Sequence, residues 1–206
     1  MTRARLVISG VVTALLLGAA ASAAIPADKQ LAHNLVAAQG DTPGMFDTGG
    51  GLRPVRCLRR TGFTIAAIAT APHWGTPHSF VDSVAAVLKT EAEAKAYYRD
   101  TVRTLSACLA GQWRRGKQPP SVGSPRALKL PRYGDQSVAR RMRLGFKAGT
   151  DSFGKYTFDW AVVRKHRAVL VDDFFFWVGW KANGLPNAAA AERRCVSKEL
   201  ARVFGS

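Results

Sequence analysis

Alternating apolar and polar side chains mark about five segments of this chain as strands. Residues 61–70 (TGFTIAAIAT) and 80–88 (FVDSVAAVL) are apolar runs separated by a turn that contains Gly75 and Pro77. Residues 137–146 place Val138, Met142, Leu144 and Phe146 on one side and Arg141 and Arg143 on the other. Arg140 falls on the apolar side, which suits a strand near a sheet edge. Residues 156–163 put Tyr156, Phe158, Trp160 and Val162 on one face. The basic turn Arg164-Lys165-His166-Arg167 leads into a return strand over residues 168–178, completing a hairpin.

Helical spacing takes over twice. Thr90 with Glu93 forms a capping box, and Ala94, Tyr97, Tyr98, Val102, Leu105, Cys108 and Leu109 recur on one face before Gly111, a plausible stop. A closing helix begins at Pro186 or Asn187 and carries Val196, Leu200, Val203 and Phe204 on its face, with Cys195 flanking it. Residues 31–39 suit a shorter helix. The stretch 114–131 holds four prolines among basic residues and reads as a connecting loop. Hairpins without a βαβ rhythm point to an α+β fold. The expected architecture is an antiparallel β-sheet of about five strands with two main helices packed on one face.

The N-terminus modifies this picture. Arg3 and Arg5 precede an apolar stretch from Leu6 to Ala21, and Ala21-Ser22-Ala23 supplies small residues for cleavage. Residues 1–23 therefore read as a secretory signal peptide, with an apolar core too short for an ordinary membrane span. No cysteine sits at the cut, so no lipid anchor is indicated. Residues 24–50 form a mixed, flexible lead-in running into Gly49-Gly50-Gly51, and residues 51–206 form the α+β domain. Secretion, or association with the cell envelope, is the expected localisation.

Charge narrows the partners. The chain carries a net +16, and losing Arg3 and Arg5 with the leader leaves +14. Outside a cell, such a charge favours acidic wall polymers and anionic lipid surfaces. Arg53, Arg56, Arg59, Arg60, Arg114, Arg115, Lys117, Arg141 and Arg143 come from segments that could share a surface. Arg114, Arg115, Arg141 and Arg143 are the expected polyanion surface. Aromatic residues do not interleave with these cations, so nucleic acid is not the expected partner.

The chain has three cysteines, Cys57, Cys108 and Cys195. Export favours a disulfide, and the odd count leaves one thiol over. Cys108 lies on the buried helix face and is the expected member of the bridge. No CxxC occurs, and no base marks Cys195 as a nucleophile.

Other candidate chemistry is thin. Asp47-Thr48-Gly49 matches an aspartic-protease tripeptide, but it occurs once and in a glycine-rich segment. His73 and His78 lack a third ligand at fixed spacing, and His78 beside Ser79 does not make a triad. Asp172 and Asp173 are adjacent in a strand and point to opposite faces, so they cannot flank one bond. No catalytic residue, metal or cofactor is expected. The concentrated signal is aromatic: Phe174, Phe175, Phe176 and Trp177 lie opposite Tyr156, Phe158 and Trp160. These rings either pack as core on both faces or leave one face open to a ligand or partner, in which case Tyr156, Trp160, Phe175 and Trp177 are the expected lining of a ligand groove.

Asp41-Thr42-Pro43-Gly44, the helix from Thr90 to Cys108 and the hairpin running from Trp160 to Val169 together resemble the PknH-like sensor domain family. That family comprises extracytoplasmic parts of actinobacterial receptor kinases and many exported relatives. The resemblance is one of order and spacing over most of residues 35–204. It implies an antiparallel sheet flanked by helices, a cleft for an extracellular ligand, and no enzymatic activity. It also implies a Cys57–Cys108 disulfide, with Cys108–Cys195 as the rival pairing. The chain departs from the family in lacking a kinase and a membrane span, in a third cysteine, and in His166, where the hairpin often has glycine. The expected function is a secreted, non-enzymatic module that binds a small ligand or an exported protein. The alternative is a secreted hydrolase of unrecognised type.

Overall fold

The computed structural model describes residues 27–42, 44–48, 53–58, 62–76, 79–115, 119–147, 154–178 and 188–204. The signal segment, Pro43, the three glycines at 49–51, Arg59, Arg60, His78, Lys117, the Arg53 side chain and the residues before Ala188 lie outside that description.

Helix α1 (Ala27–Leu35) leads through a 3-10 turn (Gln39–Asp41) to a short strand β1 (Phe46–Asp47) and a short helix α2 (Arg53–Cys57). Strands β2 (Ile65–Thr70), β3 (Trp74–Thr76) and β4 (Ser79–Leu88) precede the long helix α3 (Glu91–Arg114). Two-residue strands β5 (Ser121–Val122) and β6 (Arg126–Ala127) come next. The chain then forms β7 (Gln136–Phe146), β8 (Gly154–Lys165), β9 (Ala168–Trp177) and α4 (Ala188–Phe204). The expected loop over 114–131 is therefore a loop that also supplies two short strands, and the expected helix over 31–39 starts earlier.

The sheet is antiparallel throughout, in the order β1-β3-β4-β9-β8-β7-β5. β2 lies beside β3 along the same side of β4, and β6 pairs with β7. The nine strands include the five expected from alternation; the other four are two or three residues long. Such short pieces are below the length at which a period is visible.

The helices do not share one face, which corrects the expected layering. α2 and α3 cover one side, where Tyr97, Leu105, Leu109 and Trp113 pack on Val84, Phe158, Trp160, Val171 and Phe175. α1 and α4 cover the other, where Leu35, Val36 and Val196 pack on Val81, Val163, Leu170, Phe174 and Phe176. The cause lies in the central strands. β4 and β9 are buried almost without interruption, and so is most of β8. A strand apolar on both faces needs a layer on each.

Thr90 caps α3 as expected, its hydroxyl accepting from the Glu93 N–H at 3.1 Å. The helix continues past Gly111, because Trp113 beyond it is anchored in the core. A disulfide joins Cys57 of α2 to Cys108 of α3, with 5.7 Å between the Cα atoms. Cys195 is a free, buried thiol. No described helix is long and apolar enough to cross a membrane.

Candidate functional site

The aromatic residues expected to line a groove divide by strand alternation. Tyr156, Trp160 and Phe175 are buried on the α3 side at 3%, 1% and 7% exposure. Trp113 stacks on Phe175 with 5.3 Å between ring centroids, and Phe175 stacks on Tyr156 at 4.6 Å and on Phe80 at 4.8 Å. These rings are a core assembled under α3, which matches the packed alternative for this face and not the groove. Only Trp177 is substantially exposed, beside Val178.

The expected basic surface is also divided. Arg114 and Arg115 are exposed at the C-terminal end of α3. Arg141 and Arg143 sit on β7 opposite Asp159 and Thr157, on the face that α4 packs against. Sheet and helix thus hold the two arginine pairs on opposite layers. A cleft of about 580 Å³ forms around the second pair, lined by Arg141, Arg143, Lys155, Tyr156, Thr157 and Ser121 among others, with Val178 at its margin. This cleft brings together three of the expected site residues. Lys155 was missed because its strand begins earlier than the alternation from Tyr156 suggests.

Two cations in the cleft behave differently. Arg141 is committed: its Nε and one terminal nitrogen donate to both Asp159 oxygens at 2.8 and 2.6 Å. Hydrogen bonding to that carboxylate raises the Arg141 pKa, while burial holds Asp159 above the usual carboxylate value. The fork fixes one wall of the cleft. Arg143 and Lys155 are exposed. An anion placed there meets two exposed positive charges beside a fixed one, which suits a phosphate, sulfate or carboxylate group.

Beside this cleft, α4 buries an acidic stripe. Glu192, Cys195 and Glu199 lie on its inner face, at 0% exposure, with Val196. They meet Asp159 on β8, Asp172 on β9, Ser83 on β4 and Asp41 of the 3-10 turn. Two of the carboxylates have cations: Asp159 has Arg141, and Asp41 pairs with Arg202. Ser83 donates its hydroxyl to Glu199 at 3.2 Å. Desolvation pushes Asp172 up to about 6, and burial and the neighbouring carboxyl push Glu199 well above the usual range. Burial likewise raises the Cys195 thiol, so it is not a poised nucleophile. The spacing 192, 196, 199, 203 was readable as a single helical stripe, but two of its members are glutamates, which hydrophobic periodicity passes over.

The adjacent aspartates separate as alternation requires. Asp172 faces α4, and Asp173 lies across from Asp82 and Trp160 on the α3 side. On that side His73 Nδ1 contacts Asp82 Oδ1 at 2.5 Å, and its ring lies against Phe80. Ser79, on the opposite side of β4 by alternation, is not part of that pair. Among the described residues no group of three or more His, Cys, Asp or Glu is arranged to hold a metal ion. Asp47 and Thr48 are exposed, in and just after β1.

No protein-family model matches the chain, and no curated protein matches it in sequence. Among solved structures it is similar to the extracellular domain of PknH from Mycobacterium tuberculosis, at 12% identity and a TM-score of 0.42. That match covers 68% of this chain and 66% of that domain, so the chain spans about two thirds of it. It is also similar to PA94 from Pseudomonas aeruginosa, a protein of unknown function described as a putative regulator. There the identity is 11% and the TM-score 0.25, over 58% of this chain and 72% of that one. Likeness at this level carries no argument about function.

Proposed function

We propose that this protein is an exported, non-enzymatic binding module whose cleft between β5, β7 and β8 takes a ligand bearing an anionic group. The observation that supports this reading most is the pairing of Arg143 and Lys155 across a cleft whose wall is set by the Arg141–Asp159 fork. The signal-like N-terminus, the disulfide and the basic composition agree with action at the cell envelope. Anionic wall polymers or lipid headgroups provide the chemistry that the cleft and the wider charge favour. Asp172 and Glu199 lend no support to hydrolysis, because both carboxyl side chains are fully buried.

Retention on an anionic wall-polymer preparation tests the proposal. Binding should weaken steadily as salt rises from about 0.05 to about 0.5 M, as screened charge interactions do. The double variant Arg143→Glu, Lys155→Glu should lose most retention, whereas Arg114→Glu, Arg115→Glu, with the same change in net charge, should lose much less. Equal losses from both pairs would mean bulk charge without a site.

A further inference from the structure

The two edges of the sheet are built differently. At one, β7 is flanked by β5 and β6, only two residues each, with Arg126 exposed and Pro119, Pro120 and Pro125 close by. Short strands, proline and arginine are devices that discourage further pairing. At the other, β2 pairs with β4 on one side only. Its sequence, IAAIAT, holds no charge and no proline.

Backbone direction along β2 follows from one bond. The Ala71 N–H donates to the Ser83 carbonyl at 2.9 Å, so Ala71 is bonded inward to β4. Antiparallel alternation then turns Ala69 and Ala67 inward as well, and points the N–H and C=O of Thr70 and Ile68 away from the sheet. No described strand receives those outward groups.

A groove of about 740 Å³ runs at this edge. Its lining draws on both faces of the strand: Ile65 and Ile68 on the α3 side, Ala67 and Ala69 on the α1 side. A cavity that touches both faces of one strand lies along its edge. Lys29 and His33 of α1 form the rim.

We infer that β2 is a docking edge for an extended peptide of another polypeptide, added as an antiparallel strand of about six residues with an acidic residue beside Lys29. The outward backbone groups supply hydrogen bonds, and the groove takes small apolar side chains. Charge selects this occupant. A second copy would bring another strongly basic molecule and a second Lys29 rim to the same edge, whereas an acidic peptide complements both. This edge is remote from the β5–β7–β8 cleft, so the inference does not depend on the anion site.

The test uses the full oxidised chain and a synthetic peptide, acetyl-Glu-Val-Thr-Val-Thr-Val-Glu-amide, with amide hydrogen exchange read residue by residue. Peptide binding should slow exchange at Ile68 and Thr70 at least tenfold and leave Ala67, Ala69 and Ala71 unchanged. Thr70→Pro removes one outward donor at an edge where proline is tolerated, and should weaken binding at least tenfold. A peptide N-methylated at alternate amides should fail on the wild-type chain, a check that holds even if Thr70→Pro does not fold. Equal binding by a control peptide ended in lysines, acetyl-Lys-Val-Thr-Val-Thr-Val-Lys-amide, or no protection at Ile68 and Thr70, would overturn the inference. Concentration-dependent protection of those amides without peptide would assign the edge to a second copy and overturn it too.

Discussion

Asp172 carries one share of the cost of burying carboxyls at the α4 interface, beside Glu192 and Glu199. It is wholly buried, with Glu199, Ser83 and Asp41 near it and no cation against its oxygens among the described residues. Its pKa is raised from 3.8 to about 6, so its contribution to stability is full below about pH 4 and is lost as pH rises through about 6. The two-unit shift corresponds to about 3 kcal/mol. Asp172→Asn removes the charge and supplies a donor facing Glu199. Urea unfolding should show little change from wild type at pH 4 and a gain approaching 3 kcal/mol at pH 7. Equal gains at both pH values would mean that packing, not ionisation, sets the penalty.

Single elements show where sequence patterns succeed and where they stop. The β8–β9 hairpin was legible in outline, but its turn holds a strained residue: His166 has φ 51, in the region that favours glycine. Asp135 accepts from the His166 N–H at 2.8 Å and also pairs with Arg164, so the turn is held by a residue outside the hairpin. Among the described residues, the His166 side chain makes an exposed contact with Glu91 and a ring contact with Phe204. His166→Gly should therefore raise stability by up to about 1 kcal/mol, seen as a higher urea midpoint. A lower midpoint would show that the ring contacts outweigh backbone strain. Long strands and α3 were readable because each presents a sustained period. The layering was not, because alternation says that a strand has two faces and leaves open which helix covers each. The candidate cleft was half legible: Arg141 and Arg143 were visible as the polar side of β7, while the fork that commits Arg141 depends on Asp159 arriving across the β7–β8 ladder.

At the scale of the molecule, a cross-link and a closure act on the chain as a whole. The Cys57–Cys108 bridge spans 51 residues, and restricting a loop of that length in the unfolded ensemble is worth about 4 kcal/mol. The paired variant Cys57→Ser, Cys108→Ser should lose about that amount in urea unfolding. A loss below about 1 kcal/mol would show that α2 and α3 are held by packing alone. The other closure is between α1 and α4. Arg202 donates to the carbonyls of Asn34 and Val36 at 2.9 and 3.0 Å, and Lys198 to that of Gly40 at 2.6 Å. The earliest described helix and the last are thus neighbours on one face of the sheet. Leu35, Val36 and the Phe174–Phe176 side of the sheet belong to that same layer. Cutting the chain short of α4 would therefore expose the inner face of α1 along with this side of the sheet.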